Sequence, residues 1–322
     1  MSAVLQTPTM IEVDGLTKHY GPTRSIEDLS FSVPKGDILG FLGPNGAGKS
    51  TTMRILAGIA RPTRGSARIE GEDVQQPSES LRRKIGYLPE NSPFYGDMTL
   101  GGYLRFMAGV KGLPGREARR EMERVTELVN LSDVRHRLMR NLSRGMRQRA
   151  CFAQALLGSP PVLILDEPTV GLDPSQINDV RRLIRSLAGE CTVILSTHIL
   201  PEVELVCSRV VIIANGRIAA QGTPEELVSR EGGNTLAVIV RGAEGTFREK
   251  LSGWPGGGEP AVSHRPDIAA DAWQALLPAP ANGNKDPRPE LARGLVEAGL
   301  DLLEMRPERL RLEDIFLRAI GK

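Results

Sequence analysis

The sequence predicts an α/β chain: a buried, largely parallel sheet that carries a phosphate-binding loop. Three observations carry this reading. Residues 43–51 read Gly-Pro-Asn-Gly-Ala-Gly-Lys-Ser-Thr, a complete G-x-x-x-x-G-K-[ST] loop between the apolar run Ile38, Leu39, Phe41, Leu42 and a helix-like stretch from Met53 to Ile59. Residues 162–240 alternate short, nearly unbroken apolar strands with helical segments, as parallel strands buried on both faces require. Between them, residues 99–157 are mostly helical in pattern, with apolar spacing at Leu104, Met107, Ala108 and again at Val125, Leu128, Val129.

The elements follow in order. After a short disordered lead-in from Met1 to Thr9, residues Ile11 and Val13, then Ile26 to Leu29, then Phe31 and Val33 alternate in the strand manner, and Pro34-Lys35-Gly36-Asp37 supplies a turn. This predicts a small antiparallel sheet leading into the core. In the loop, Gly43, Gly46 and Gly48 let the backbone of residues 43–51 (Gly43, Pro44, Asn45, Gly46, Ala47, Gly48, Lys49, Ser50, Thr51) turn tightly around phosphate oxygens, and the following helix N-terminus favours an anion. Lys49 then reaches the β- and γ-phosphates, and the Ser50 hydroxyl ligates Mg2+. The order strand, phosphate loop, helix, helical insertion, strand, helix, strand is that of a P-loop NTPase with an inserted helical subdomain.

Downstream, Val162-Leu163-Ile164-Leu165-Asp166-Glu167 is a buried strand ending in two carboxylates. Asp166 is placed to hold Mg2+, directly or through water, and Glu167 to polarise the attacking water as general base. The bland alternative is an acidic strand-to-loop turn, which the phosphate loop disfavours. Beyond about residue 230 the texture changes: a strand over Thr235–Val240, a short helix over Thr246–Leu251, a stretch from Gly253 to Pro289 dense in Gly, Pro and Ala, then helix, strand and helix over Glu290–Ala298, Leu300–Met305 and Glu313–Ile320. The Gly/Pro/Ala-rich stretch predicts a long flexible loop.

Composition excludes several classes. With 322 residues and a net charge of +2, the chain has room for a large core and a smaller second one but no extended nucleic-acid surface, despite the local basic run Arg144, Arg147, Arg149. No basic segment followed by a signal-length apolar stretch opens the chain, and apolar runs such as Val210–Ala214 fall far short of the roughly 20 residues of a membrane helix. Any membrane role is therefore borrowed from a partner. Cys151, Cys191 and Cys207 lack C-x-x-C spacing and sit among apolar residues, which predicts buried, reduced thiols and a cytoplasmic compartment.

Residues 141–149, Asn-Leu-Ser-Arg-Gly-Met-Arg-Gln-Arg, resemble the signature of the ATP-binding cassette (ABC) family, usually written L-S-G-G-Q; Leu142, Ser143 and Gly145 match, and Arg144 and Met146 depart from it. The resemblance implies that Ser143 and the N–H groups around Gly145, at the start of a helix, contact the γ-phosphate held by a second copy of the chain. Gly171-Leu172-Asp173 resembles the D-loop that couples the two sites, though Asp173 before Pro174 is also a good helix cap. His198, ending Ser196-Thr197-His198, matches the family's switch histidine; His19, His136 and His264 read as ordinary polar residues. Tyr20 matches the adenine-stacking aromatic, with plain packing on the small sheet as the alternative. Glu90 stands where most members carry glutamine. A carboxylate ligates Mg2+ as an amide oxygen does, but it adds negative charge and lacks the amide donor.

The resemblance covers about residues 10–230, with the helical subdomain at about 91–160 and an α/β accessory domain at 231–322 containing a flexible loop at about 253–289. Leu88-Pro89-Glu90, the Leu-Ser-Arg-Gly-Met signature and the Leu312–Leu317 ending resemble ATPase subunits of exporters with separate membrane subunits, particularly GldA-like gliding-motility, multidrug and NosF-like proteins. It implies ATP and Mg2+, hydrolysis coupled to closure of a homodimer, membrane-spanning permease subunits as partners, no nucleic acid, and a peripheral place on the inner face of the cell membrane. The segment from about Asn91 to Leu113, with Phe94, Tyr95, Met98, Leu100, Tyr103 and Phe106, receives the membrane subunit in that family; subdomain core is the alternative. A soluble ABC ATPase of translation, repair or cofactor assembly is the second reading, disfavoured by one phosphate loop, one signature, no long heptad segment and no cysteine cluster. Intact Asp166 and Glu167 argue against a regulatory module, and the missing third glycine of G-x-G-x-x-G against a Rossmann dehydrogenase. Cargo is not encoded here, since the path belongs to the membrane subunit.

Overall fold

A computed structural model describes residues 8–230, 235–254, 260, 262–278, 286–308, 312–319 and 321. The chain divides into two compact units, with breaks after Pro224 and after Leu317.

In the first unit, β1 (Thr9–Tyr20) and β2 (Thr23–Pro34) form a long antiparallel hairpin. They are followed by β3 (Ile38–Leu42), α1 (Lys49–Leu56), β4 (Arg64–Ile69) and β5 (Glu72–Asp73). The first sheet runs β2-β1-β4-β5. Strand β2 is continuous where the sequence suggested two short runs. A bulge at Asp28, whose φ is 54°, lets Ile26 and Leu29, three residues apart, share the buried face with Phe31 and Val33. Helix α1 starts at Lys49 and ends at Leu56, short of the expected Ile59: Gly58, at φ 71°, lets the chain leave the helix, and Ile59 lies outside it, exposed.

The chain continues with α2 (Glu79–Lys84), β6 (Ile85–Leu88), α3 (Leu100–Val110), α4 (Gly115–Leu128), α5 (Arg144–Leu156), β7 (Val162–Asp166), α6 (Pro174–Ser186), β8 (Thr192–Thr197), α7 (Leu200–Val206), β9 (Arg209–Ala214) and β10 (Arg217–Gly222). The second sheet runs β10-β9-β3-β8-β7-β6, parallel except for the edge pair β10 and β9. Strands β3, β7 and β8 are buried at every residue, which is why they read as unbroken apolar runs. Met53, Ile55 and Leu56 of α1 join one core with Leu16, Phe31 and Ile69 of the first sheet and Phe41, Ile164 and Ile194 of the second. Each such fully buried side chain contributes about 1.5–3 kcal/mol. In the helical insertion, Thr99 caps α3 by accepting from Gly102 N at 3.0 Å. Leu104, Ala108, Val125 and Val129 are buried; Met107 and Leu128 are only half-buried.

The remaining elements are α8 (Pro224–Arg230), β11 (Thr235–Arg241), α9 (Glu244–Leu251), β12 (Val262–His264), β13 (Ala272–Pro278), α10 (Arg288–Glu297), β14 (Asp301–Glu308) and α11 (Leu312–Ala319). Their antiparallel sheet runs β12-β13-β11-β14. Leu236, Val238 and Val240 of β11 pack with Phe247 and Leu251 of α9 and Leu295 of α10. The flexible loop expected at 253–289 is corrected here: β12 and β13 lie inside it, because Ala275 and Leu277 are needed to widen this core. Its residues 255–259, 261 and 279–285 lie outside the described residues, as do Met1 to Thr7 of the expected lead-in, whereas Thr9 already begins β1. All three cysteines are free and buried.

Candidate active site

The order β3-β8-β7-β6 places four chain segments side by side at the C-terminal ends of parallel strands, where such sheets bind ligands. The phosphate loop follows β3, His198 follows β8, Asp166 and Glu167 end β7, and Glu90 lies just past β6. Register fixes the neighbours: Leu42 pairs with Thr197, and Asp166 with Ser196.

The loop conformation depends on its glycines. Gly48 has φ 105°, and a Cβ there would stand 2.3 Å from Ile26 Cγ2 and 2.7 Å from the Ser25 carbonyl oxygen; Gly46, at φ 80°, has open space where its Cβ would be. Lys49 Nζ lies back along the loop, donating to the carbonyl oxygens of Gly43 at 2.9 Å and Pro44 at 3.2 Å, and pairs with Glu167 Oε1 at 3.2 Å. That last contact is an ion pair without hydrogen-bond geometry, so buried Glu167 Oε1 has no hydrogen-bond donor. Ser50 Oγ donates to Asp166 Oδ1 at 3.0 Å, and Ser196 Oγ donates to the same oxygen at 2.6 Å. The Ser196 hydroxyl in turn accepts from Glu167 N at 3.0 Å.

Glu167 adopts φ 48°, a conformation that costs a non-glycine residue about 1–3 kcal/mol and persists where its surroundings hold it. His198 Nδ1 lies 3.0 Å from Glu167 Oε2, with the imidazole reaching toward solvent. Burial pushes the Asp166 carboxyl above its ordinary range; the Ser196 and Ser50 hydroxyls oppose this, and the negative charges of Glu90 and Glu167 add to it. Ser25, Asn45, Gly46, Gly48, Lys49, Ser50, Thr51, Glu90, Glu167, Val170 and His198 line a cavity of about 370 Å³. Thr51 Oγ1 lies 2.8 Å from Ser25 Oγ.

The donor set fits nucleotide phosphates and Mg2+. The loop offers an anion cradle at the N-terminus of α1 with one ammonium group, and Glu167 Oε1 is a buried acceptor still wanting a donor. No group of three or more His, Cys, Asp or Glu among the described residues could hold a metal alone. Ser50, which bonds to Asp166, and Glu90 of the same cavity offer the hard oxygen donors that Mg2+ takes alongside phosphate oxygens.

Other residues singled out in the sequence stand apart from the cavity. Ser143 caps α5, accepting from Met146 N at 3.2 Å. A Cβ on Gly145 would lie 2.4 Å from the Gln176 amide. Asp173 caps α6, accepting from Gln176 N at 2.9 Å and from Ser175 Oγ at 2.8 Å, contacts that hold its carboxyl below the usual range. Arg144 Nη2 reaches to 3.5 Å from the Val170 carbonyl oxygen, and Gln148 Nε2 donates to that of Pro168 at 2.9 Å. Tyr20 is exposed at the end of β1 with Lys18 Nζ 4.9 Å from its ring centre. Gly43, Pro44 and Ala47 of the loop do not line the cavity: Gly43 and Ala47 are buried, Pro44 is exposed, and Gly43 N donates to the Thr197 carbonyl oxygen at 3.3 Å. Sequence reasoning missed Ser25, Val170, Thr169 and Glu202, and gave Ser196 and Thr197 no task; hydroxyls closing the otherwise apolar run 192–197 were the available signal.

Residues 26–170 match the family model described as ABC transporter. The chain is 34% identical to the daunorubicin resistance ATP-binding protein DrrA3 of Streptomyces coeruleorubidus, over 97% of this chain and 96% of that one. The chain belongs to the ABC transporter ATP-binding proteins. This ABC ATPase is also 38% identical to the Nod factor export ATP-binding protein I of Ralstonia nicotianae, over 97% and 94% of the two chains. Among solved structures it is similar to an ATP-binding subunit of an ABC transporter, with 34% identity, a TM-score of 0.64, and 70% and 94% of the two chains covered. No helix among its described residues is long and apolar enough to cross a membrane.

Proposed function

We propose that this ABC ATPase powers an exporter whose membrane-spanning subunits are separate chains, acting as a homodimer on the cytoplasmic face of the membrane. One observation carries the catalytic assignment: Glu167, with an unmatched acceptor oxygen, faces the cavity between Lys49 and His198 and beside Asp166. In this reading the phosphate loop and Lys49 hold the ATP phosphates, and Tyr20 stacks on adenine. Glu167 accepts a proton from the attacking water, while His198 keeps the Glu167 side chain aimed and contacts the γ-phosphate. Ser50 and Asp166, with Glu90 beside them, would hold Mg2+, which would supply charge neutralisation for the nucleotide phosphates. Ser143, Gly145 and Asp173 lie outside their own chain's cavity, which supports their serving the nucleotide of a second copy.

The relatives named for daunorubicin resistance and Nod factor export support outward transport. The test is to tag the chain in its native host, extract membranes in mild detergent, and identify what co-purifies with and without ATP. Recovery of a polytopic membrane protein is the expected result. Recovery only of soluble protein contradicts the transport assignment and leaves the ATPase assignment standing.

A further inference from the structure

We infer that Glu202 is a positioning residue for hydrolysis, a buried bridge that sets the Glu167 and His198 loops against each other. Glu202 lies in α7 and is 3% exposed. Thr169 Oγ1 donates to its Oε1 at 2.5 Å, and Thr197 Oγ1 donates to its Oε2 at 2.7 Å. Both threonines are buried, and Thr197 Oγ1 also accepts from Ile199 N at 3.0 Å. One carboxylate thus holds two loops: Thr169 lies two residues past Glu167, and Thr197 directly precedes His198.

The geometry exceeds what packing alone requires. A carboxyl group buried against two neutral hydroxyls is costly where an apolar side chain would fill the space. What it secures is the 3.0 Å contact between His198 Nδ1 and Glu167 Oε2 and the positive-φ backbone of Glu167, a conformation that needs support from more than one side. Ser196 supplies that support from β8, and Glu202 supplies it from α7. Glu202 stands outside the phosphate-loop cavity, so its influence falls on alignment for chemistry and not on ATP capture.

The inference rests on the catalytic roles proposed above for Glu167 and His198. Its test is a double-mutant cycle on the full chain, reading single-turnover rates and the KM for ATP of Glu202→Met, Glu202→Gln, His198→Ala and the Glu202→Met/His198→Ala pair. Glu202→Met lowers the rate by about 10–10²-fold, the scale set by small misplacements of reacting groups, with KM unchanged within about twofold. Glu202→Gln, which can accept from one hydroxyl and donate to the other, keeps most of the rate. In the His198→Ala background Glu202→Met has little further effect, although it still lowers thermal stability. An equal fold-loss in both backgrounds, an unchanged rate, or a raised KM at unchanged rate overturns the inference. Should Glu202→Met fail to fold, Thr197→Val carries the same cycle. A full rate in His198→Ala itself would instead refute the underlying catalytic reading.

Discussion

The phosphate-loop half and the signature half of this chain are built on opposite terms. Around the cavity, Lys49, Ser50, Asp166, Glu167 and His198 bond to one another, and the cavity they line leaves the Glu167 Oε1 acceptor unmatched. In the signature half, Ser143 and Asp173 spend their side chains on the N–H groups of their own helices, and neither lines the cavity. The first half is shaped for a ligand the chain holds itself. The second is a pair of capped helix ends, which in the proposed function face the nucleotide of a second copy. A complete site on this account takes one half from each of two copies.

That contrast breaks first, and by the largest margin, at Glu167. Glu167→Gln lowers phosphate release by about 10²–10⁴-fold while equilibrium ATP binding stays within a few-fold. Lys49→Ala weakens ATP binding itself by about 10–10²-fold in a titration, since it removes charged donors to the phosphates and takes from buried Glu167 Oε1 its lysine partner. Equal effects of the two variants on binding and on turnover would erase the division of labour.

Glu90→Gln is the next step down. It removes one of the charges that press on Asp166 and leaves ATP binding intact while altering turnover; a coupled assay with unchanged turnover removes Glu90 from the mechanism. In the other half, Ser143→Ala costs about 1 kcal/mol of stability through the lost cap. It leaves single-chain nucleotide affinity untouched but lowers ATPase activity at every protein concentration. Weaker nucleotide binding by isolated chains of this variant would place Ser143 in its own chain's site.

The smallest effect sits at the far end of α5. Lys111 Nζ donates to the carbonyl oxygens of Ala155 at 3.1 Å and Leu157 at 2.8 Å, and burial pushes its pKa down to about 8. Because the folded value lies below the unfolded one, near 10.4, the unfolded chain binds more protons between these values. The stability difference between the native chain and Lys111→Met therefore shifts in favour of lysine as pH rises from about 8 to about 10, measurable by urea denaturation. A difference independent of pH would show Lys111 to be solvated.

Much of the cavity was legible because its chemistry is local. The phosphate loop and the Asp166-Glu167 strand end are contiguous residues, and the unbroken apolar runs of β3, β7 and β8 announced strands buried on both faces. Glu202 was not legible: its bond to Thr169 spans 33 residues and exists only because β7 and β8 are neighbours in the sheet. Composition misled at 253–289, where Gly and Pro suggested a loop, although Ala275 and Leu277 on β13 complete a core whose other buried members come from β11, α9 and α10 and from Leu300 just before β14. In β2, the spacing of Ile26 and Leu29 looked irregular until the bulge at Asp28 restored them to one face.

The most direct test of the two-halves account is the solution mass of Glu167→Gln by light scattering, without nucleotide, with ATP and Mg2+, and in combination with Ser143→Ala. The account predicts one chain without nucleotide, two chains with ATP and Mg2+, and a return toward one chain when Ser143 is also replaced. A single chain that stays single while saturated with ATP, or a pair indifferent to Ser143, would contradict it.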